Sequence, residues 1–335
     1  MRLIERAEMK KDLKSNMERN SIETVSFIIP CYRSEKTITS VINEIRSEIN
    51  KNKELGYEII CVDDNSPDGV FEVLKGLSEE DKNVRAIRFS KNFGQHAGLI
   101  AGVQHSIGDI CVLLDDDGQC PVDHLAELLS PLYEGWDIAI AQYGMKKQSL
   151  FKNAGSFFNE VMSNILIEKP RDIQMGNFMA FKRYIADELA AYSGPYPYIS
   201  GLLFRSSAKV INVPMKERSR MLGETTYSIK KLVSLWLSSF TAFSIKPLRV
   251  ATILGGGAAT VGIIYAITII IRKMLNPAIP AGYSSTIAVN LILGGMILFV
   301  LGIIGEYIGR IYMSVNGTPQ YVIKESINVV EKDEG

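Results

Sequence analysis

The sequence has few of the residues that build metal clusters, disulfide frameworks or nucleic-acid-binding surfaces. Among 335 residues it has four cysteines with no C-x-x-C spacing and three scattered histidines, none at metal-ligand spacing. This pattern argues against a zinc site or a disulfide framework and indicates reduced, mostly buried thiols in a cytosolic domain. Lysine plus arginine and aspartate plus glutamate both number 37, so no field-driven affinity for nucleic acid is expected.

Two further absences narrow the class of protein. Residues 1–20 are charged and have no apolar core, so they do not have the pattern of a signal peptide. No G-x-G-x-x-G follows the first predicted strand, which argues against a dinucleotide-binding Rossmann domain.

The most informative feature that is present is a run of three aspartates, Asp115, Asp116 and Asp117, directly after the apolar residues 110–114. The apolar run predicts a buried strand of a parallel sheet, and ligands bind beyond the carboxyl ends of such strands. Three adjacent carboxylates repel one another and need a counter-charge when buried. A hard cation, Mg²⁺ or Mn²⁺, supplies one. The alternative is a solvated acidic turn.

Apolar strands alternate with amphipathic stretches through the first half of the chain. The helical stretch 36–53 has apolar residues on one face. This alternation predicts an α/β fold with a parallel sheet. The predicted strands lie at residues 25–29, 58–62, 84–89, 109–114 and 137–141.

The C-terminal third contains two uncharged stretches, residues 250–271 and 284–305. As a helix, each would extend about 33 Å, enough for a bilayer core of about 30 Å. The alternative is a pair of buried core helices. Basic residues on both flanks outnumber those of the connecting loop, which favours a cytoplasmic catalytic domain and a multi-pass protein of the plasma membrane. The flanking residues are Lys230, Lys231, Lys246, Arg249, Arg310 and Lys324, and the loop residues are Arg272 and Lys273.

Before the first span, residues 228–247 have apolar side chains at helical spacing, including Trp236. The pattern fits either an interfacial helix or an ordinary core-facing helix, and the neighbouring span favours the interface. The sequence therefore predicts five segments. They are an N-terminal extension (1–23), a catalytic domain (24–227), an interfacial region (228–249), a transmembrane hairpin (250–305) and a cytoplasmic tail (306–335).

Six short motifs, in a fixed order, link the sequence to a known family. They are SFIIPCY (26–32), VDDNSPD (62–68), LDDDGQCP (114–121), RMLGETTY (220–227), FTAFSIKPLR (240–249) and GEYIGRIY (305–312). Together they resemble family-2 glycosyltransferases with a GT-A fold. Within that family the chain resembles the polyprenyl-phosphate glycosyltransferases, relatives of dolichyl-phosphate mannose synthase that carry C-terminal membrane helices.

The resemblance implies a role for each matching residue. It implies that Asp115 and Asp117 form the D-x-D pair, with Asp117 and Gln119 nearest the metal and the pyrophosphate. Asp116 fills the variable middle place, so its loss is expected to matter less. The implied nucleotide-binding residues are Pro30, Tyr32, Glu35, Asp63, Asp64 and Asp116.

The sequence departs from the family pattern at two places. Thr225-Thr226 follows the Gly-Glu pair where relatives often carry Ser-Lys or a similar pair. Asn177 stands where many relatives have an acidic residue, which puts the usual general base in doubt. Asp172 is the remaining candidate for a catalytic residue, with an orienting role.

An anionic lipid acceptor requires cations near the membrane side of the site. Arg220 is the first candidate because a guanidinium group binds phosphate oxygens bidentately. Further candidates are Lys152, Ser156, Lys146 and Lys147. Alternatively, these lysines form a solvated basic face.

The sequence thus predicts an inverting transferase that moves one sugar from a UDP- or GDP-sugar to undecaprenyl phosphate or a similar polyprenyl phosphate. A processive polysaccharide synthase is an alternative, although the Q-x-x-R-W motif of those enzymes is absent. A nucleotide-sugar-binding scaffold without activity is another. Gly305 and Gly309 form a G-x-x-x-G that is compatible with a homo-oligomer. The sequence identifies neither the sugar nor the nucleotide base.

Overall fold

The computed structural model describes residues 24–51, 55–143, 172–216, 218, 246–275 and 282–329. The strands in these ranges are β1 (Thr24–Cys31), β2 (Gly56–Asp63), β3 (Val84–Phe89), β4 (Ile110–Leu113), β5 (Ile138–Tyr143), β6 (Met179–Lys182), β7 (Val210–Met215) and β8 (Ile323–Ile327). The α-helices are α1 (Ile38–Ile49), α2 (Val70–Glu80), α3 (Gln95–Gln104), α4 (Leu125–Tyr133), α5 (Arg183–Ala190), α6 (Ile199–Ser206), α7 (Lys246–Leu275) and α8 (Tyr283–Val315).

The strands form one sheet in the order β7-β5-β6-β4-β1-β2-β3-β8. Strand β1 pairs in parallel with β2 on one side and with β4 on the other. The order therefore changes direction at β1, and the carboxyl ends of β1, β2 and β4 open into one crevice. Ligands bind at such a switch point in open α/β sheets. The predicted mostly parallel α/β sheet is confirmed, with all five predicted strands present.

The sheet is buried on both faces, which explains its continuous apolar strands. On one face, alternate residues such as Ile59 and Cys61 pack with the apolar sides of α1, α2 and α4. On the other, Ile60 and Val62 pack with α3. The apolar face predicted for α1 is the one that the helix buries, with Ile38, Val41, Ile42, Ile45 and Ile49.

Strand β6 runs antiparallel between β4 and β5. Its first residue, Met179, pairs with Leu113, the last residue of β4. The loop that precedes β6 therefore lies next to the acidic turn that follows β4.

The predicted cytoplasmic tail, residues 306–335, differs from the structure. Helix α8 continues to Val315, and β8 then pairs antiparallel with β3 at the edge of the sheet. The physical reason is that the β3 edge needs a partner: the Tyr321 ring stacks on Phe89 at 5.0 Å, and the Ser90 N–H donates to the Val322 carbonyl at 2.9 Å. Residues 319–329 therefore belong to the same compact unit as the catalytic sheet.

Helices α7 and α8 belong to a second unit and contact each other. Within α8, the 24-residue segment Ile292–Val315 has a mean hydropathy of 2.0, and none of it is buried within the protein. Among the described residues it is the one helix long and apolar enough to cross a membrane, and it lies further along the chain than the predicted span 284–305. The apolar part of α7, Gly255–Tyr265, is shorter, so the first predicted span stays a prediction.

Candidate active site

Asp115 lies at the floor of the crevice, held by two amide side chains. Gln95, the first residue of α3, donates from Nε2 to Asp115 Oδ1 at 2.9 Å. Asn177 donates from Nδ2 to Asp115 Oδ2 at 2.5 Å. Gly176 makes this approach possible, because a Cβ atom there would lie 2.5 Å from the Ala141 carbonyl oxygen. The amides orient this carboxylate without neutralising it.

Asp116 links the turn after β4 to the end of β1. Its Oδ2 accepts the Tyr32 N–H at 3.0 Å. Burial raises its pKa to about 6, an effect that the carboxylates of Asp115 and Asp117 reinforce. The Tyr32 backbone and the Ser34 side chain are contacts within the protein, and the implied nucleotide-binding role of Asp116 stays a prediction.

Asp117 and Gln119 shape the remainder of the acidic turn. Asp117 Oδ1 accepts the Gln119 N–H at 3.0 Å, and Gly118 between them has a φ of +74°, which L side chains rarely adopt. Gln119 also forms two hydrogen bonds with the backbone of Arg218: its Nε2 donates to the Arg218 carbonyl at 3.2 Å, and its carbonyl accepts the Arg218 N–H at 3.3 Å.

The oxygen atoms of Asp115, Asp117 and Gln119 form a donor set that fits a hard divalent cation. Among the described residues no group of three His, Cys, Asp or Glu side chains has the arrangement of a complete metal site. Mg²⁺ commonly binds through one or two carboxylates plus substrate phosphates, and the set fits that mode. The substrate would then supply the remaining ligands.

At the carboxyl end of β2, Asp63 and Asp64 are buried, and their carboxylates have partners inside the protein. Asp63 is fully buried; its Oδ1 accepts the Ser66 N–H at 2.7 Å and its Oδ2 lies 3.2 Å from Arg88 Nε. Asp64 accepts the N–H groups of Phe93 at 2.6 Å and Gly94 at 2.8 Å. Burial raises the pKa of both carboxyl groups. Asp64 thereby fixes the turn that leads into α3.

The other implied nucleotide-binding residues lie at the end of β1 or just after it. Pro30 is buried within β1, whereas the Tyr32 ring is 46% exposed at the rim of the crevice. Glu35 accepts the Gly69 N–H at 3.1 Å, and its own N–H donates to Asp68 Oδ2 at 3.1 Å. The structure thus gathers these residues at one edge of the sheet. Nucleotide binding by them stays a prediction.

We expect replacement of Asp64 by alanine to destabilise the protein, because two partly buried N–H groups lose their acceptor. The expected loss is about 1–3 kcal/mol, measured as a lower melting temperature of the purified protein. The control is Asp187→Ala, which removes an exposed carboxylate paired with Arg183 one helical turn away and is expected to change stability by less than about 1 kcal/mol. Equal melting temperatures for the two variants would contradict the anchoring role of Asp64.

A cavity of about 480 Å³ opens beside Asp115. Leucine, isoleucine and methionine side chains form much of its wall, and residues with polar groups come from five separate parts of the chain. These residues are Gln95, His96, Asp115, Gln119, Tyr143, Asn177 and Ser200. Asp172 is exposed and does not line this cavity, so the structure does not bring it together with the acidic turn.

Sequence reasoning missed three contributors to the site: Gln95, His96 and Arg218. The guanidinium group of Arg218 donates to Glu44 and to Asp123, each at 2.6 Å, and so holds the segment at Gln119 in place. In the sequence, the signal for Arg218 is its position two residues before Arg220. The signal for Gln95 and His96 is that they follow Gly94, the glycine before α3. The acceptor candidates Arg220, Lys152, Ser156, Lys146 and Lys147 lie outside the described residues.

A mostly parallel sheet with a D-x-D turn beyond β4 is the architecture of a GT-A glycosyltransferase. Among solved structures, glucosyl-3-phosphoglycerate synthase from Mycobacterium tuberculosis in complex with UDP matches with a TM-score of 0.51 and 17% identity, over 69% of this chain and 81% of that chain. The same enzyme in complex with Mn²⁺, UDP-glucose and phosphoglyceric acid also has a TM-score of 0.51, with 16% identity over 68% and 81%. These similarities establish the fold.

The chain belongs to glycosyl transferase family 2, and it is a glycosyltransferase. That family's profile matches residues 26–190, and the profile of the GtrB C-terminal hairpin matches residues 246–311. The uncharacterized glycosyltransferase YkcC of Bacillus subtilis is 31% identical over 92% of this chain and 95% of its own. The undecaprenyl-phosphate 4-deoxy-4-formamido-L-arabinose transferase of Proteus mirabilis is 29% identical over 92% and 95%.

Proposed function

We propose that the protein transfers a single sugar from a UDP- or GDP-sugar to undecaprenyl phosphate or a similar polyprenyl phosphate, at the cytoplasmic face of the plasma membrane. The carrying observation is the pair of hydrogen bonds between Gln119 and the backbone of Arg218. They attach the acidic turn to Arg218, which precedes the proposed acceptor-binding residue Arg220 by two positions in the sequence. The similarity to undecaprenyl-phosphate transferases supports this acceptor.

The proposed acceptor needs little activation. A phosphate monoester has a second pKa near ~6, so its oxygen is mostly ionised at neutral pH. The protein's task is to hold this anion in line behind the anomeric carbon. A direct displacement then inverts the anomeric centre, and the bond to the nucleoside diphosphate breaks as the bond to the lipid phosphate forms. Asn177 is therefore compatible with activity, and Asp172 stays a proposed orienting residue.

The leaving group is a nucleoside diphosphate, whose growing charge must be stabilised. Asp115, Asp117 and Gln119 would hold Mg²⁺ or Mn²⁺ there, and the cation would supply electrostatic stabilisation. Gln95 and Asn177 keep Asp115 oriented for this task. Arg220, with Lys152, Ser156, Lys146 and Lys147, is proposed to bind the acceptor phosphate.

The acceptor assignment is tested by replacing undecaprenyl phosphate with undecaprenol, which lacks the phosphate. With purified full-length protein and a panel of UDP- and GDP-sugars, donor turnover is expected with the phosphate and none with the alcohol. A product carrying one sugar supports single transfer, whereas a ladder of lengths would indicate a processive synthase. Absence of turnover with every donor would favour the binding scaffold.

The proposed anchor consists of α7 and α8. We expect the full-length protein to resist carbonate extraction and to require detergent. A chain cut near residue 247 would also lose β8, so the informative variant deletes both helices and retains residues 319–329 on a flexible linker. That variant is expected to keep at most weak membrane binding through residues 229–243. Full-length protein in the soluble fraction would contradict the anchor.

A further inference from the structure

The first turn of α6 forms part of the wall of the cavity beside Asp115, through Ile199 and Ser200. The loop that leads into this turn, residues 191–198, connects α5 to α6. It contains Pro195 and Pro197, which have no N–H group to donate. The position of this part of the wall therefore depends on contacts that the loop makes with other parts of the chain.

Gln320 makes such a contact from the segment that follows α8. Its Nε2 donates to the carbonyl oxygens of Tyr192 at 2.6 Å and of Gly194 at 2.8 Å. Because carbonyl oxygens only accept, the two hydrogen bonds fix which end of the carboxamide faces the loop. The loop also folds tightly on itself at this point, since the Tyr192 hydroxyl donates to the Tyr196 carbonyl at 3.4 Å. One side chain thus holds two successive carbonyl groups of the bend.

The next residue, Tyr321, joins the same loop to α3. Its hydroxyl group donates to Gln104 Oε1, and Gln104 Nε2 donates to the carbonyl of Ala190, the last residue of α5, at 3.0 Å. At the other end of the loop, the Tyr198 ring packs edge-on against His96 of α3, with ring centroids 5.0 Å apart. Both ends of the loop are therefore attached to the helix whose first residues line the cavity.

We infer that Gln320 is a positioning residue, which holds the loop 191–198 and thereby fixes the first turn of α6 in the wall of the cavity. This role rests on the proposed function, in which the diphosphate of the nucleotide sugar lies at Asp115 and Gln119. The sugar attached to that diphosphate would extend into the cavity beside them. A displaced wall would weaken contacts with the nucleotide sugar and spare those with the nucleoside diphosphate.

Gln320→Glu and Asn328→Asp form a matched pair of variants. Each replaces a carboxamide by a carboxylate of the same shape, which accepts hydrogen bonds and donates none. Asn328 makes the same kind of contact elsewhere: its Nδ2 donates to the carbonyls of Ser78 at 2.7 Å and Val84 at 3.0 Å, and none of these three residues lines the cavity. Its φ is +58°, a conformation that aspartate tolerates as asparagine does. A loss of stability alone would therefore appear in both variants.

Hydrogen exchange tests the hold on the loop without any substrate. In the full-length protein, we expect residues 191–200 to exchange about 10-fold faster in Gln320→Glu than in the wild type, because two hydrogen bonds to the loop are lost. Exchange in the same residues is expected to stay within about 2-fold of the wild type in Asn328→Asp, since that site is distant. Unchanged exchange in Gln320→Glu, or equal acceleration in both variants, would overturn the role of Gln320.

Transfer kinetics test the consequence for the nucleotide sugar. With the best nucleotide sugar of the wild type, we expect kcat/KM to fall about 10- to 100-fold in Gln320→Glu and affinity for the nucleoside diphosphate to change by less than about 2-fold, since a displacement of about 1 Å can cost about 100-fold. Gln320→Leu, which removes the N–H groups without adding a charge, is expected to show the same defect. Gln320→Lys, which keeps N–H donors, is expected to restore most of the activity, and Asn328→Asp is expected to resemble the wild type.

Three results would overturn the positioning role of Gln320. They are wild-type kinetics in both Gln320→Glu and Gln320→Leu, an equal loss of affinity for the nucleotide sugar and the nucleoside diphosphate, and an equal defect in Asn328→Asp. Each of them leaves the proposed function intact, provided that the wild type transfers sugar to the lipid. A wild-type protein that transfers no sugar contradicts the proposed function instead, and hydrogen exchange then still decides whether Gln320 holds the loop.

Discussion

Replacement of Asp117 by asparagine is expected to lower the rate of sugar transfer by at least ~100-fold, the scale of losing a key electrostatic stabiliser. The substitution keeps the shape of the side chain, and its oxygen can still accept the Gln119 N–H that shapes the turn. It removes a charge from the proposed metal-binding set. The measurement is the initial rate of transfer to undecaprenyl phosphate at saturating donor and Mg²⁺ or Mn²⁺.

Asp116→Asn is the matched control, one residue away. Asp116 is turned toward the Tyr32 N–H, and an asparagine oxygen can accept the same bond, so the loss of activity is expected to be much smaller. EDTA is expected to reduce the wild-type rate as strongly as Asp117→Asn does. Full wild-type activity in EDTA would refute the metal assignment.

Replacement of Arg220 by alanine is expected to lower kcat/KM for the lipid about 10- to 150-fold, because a charge-assisted contact of about 1.5–3 kcal/mol is lost. Arg220 lies outside the described residues but two positions after Arg218, whose backbone is bonded to Gln119. Donor binding, measured by calorimetry without lipid, is expected to change little.

Two variants control for the charge and for the shape of this side chain. Arg205→Ala removes an exposed arginine of α6 and is expected to leave transfer unchanged. Arg220→Lys is expected to restore part of the loss, because lysine keeps the charge but lacks the bidentate fork. Loss of donor binding with intact lipid dependence in Arg220→Ala would assign Arg220 to the pyrophosphate instead.

The central part of the site could be predicted from local sequence because it depends on strand ends. An apolar run followed by Asp115-Asp116-Asp117 fixes both a buried strand and the edge at which its carboxylates emerge. Parallel pairing with β1 then brings Tyr32 to the same edge. These relations follow from side-chain polarity and from the rules of parallel sheets.

The partners of Asp115 could not be predicted in this way. Asn177 reaches it because β6 enters the sheet antiparallel, next to β4, and strand order is a non-local property. Gln95 reaches it because Asp64 fixes the turn before α3 through backbone contacts. The resemblance implies nucleotide binding for Asp63 and Asp64 at the end of β2, which stays a prediction, and the structure adds that both carboxylates have partners inside the protein. Their polarity alone does not distinguish the two roles.

The position of the C-terminal strand β8 is a second feature that the local sequence could not predict. Residues 323–327 have the sequence IKESI, with exposed charged positions between two apolar ends. Such a short pattern is compatible with a solvated tail. Its place at the sheet edge depends on the unpaired edge of β3 and on the Phe89 ring, which lie more than two hundred residues earlier in the chain.

The most direct test of the proposed activity is the mass of the lipid product. Full-length protein is incubated with undecaprenyl phosphate, a divalent cation and each UDP- or GDP-sugar, and the lipid is analysed by mass spectrometry. For at least one donor, we expect a lipid heavier by one sugar residue, one nucleoside diphosphate released per product, and an inverted anomeric configuration. A lipid of unchanged mass with every donor, or one that carries a polymer, would contradict the proposed activity.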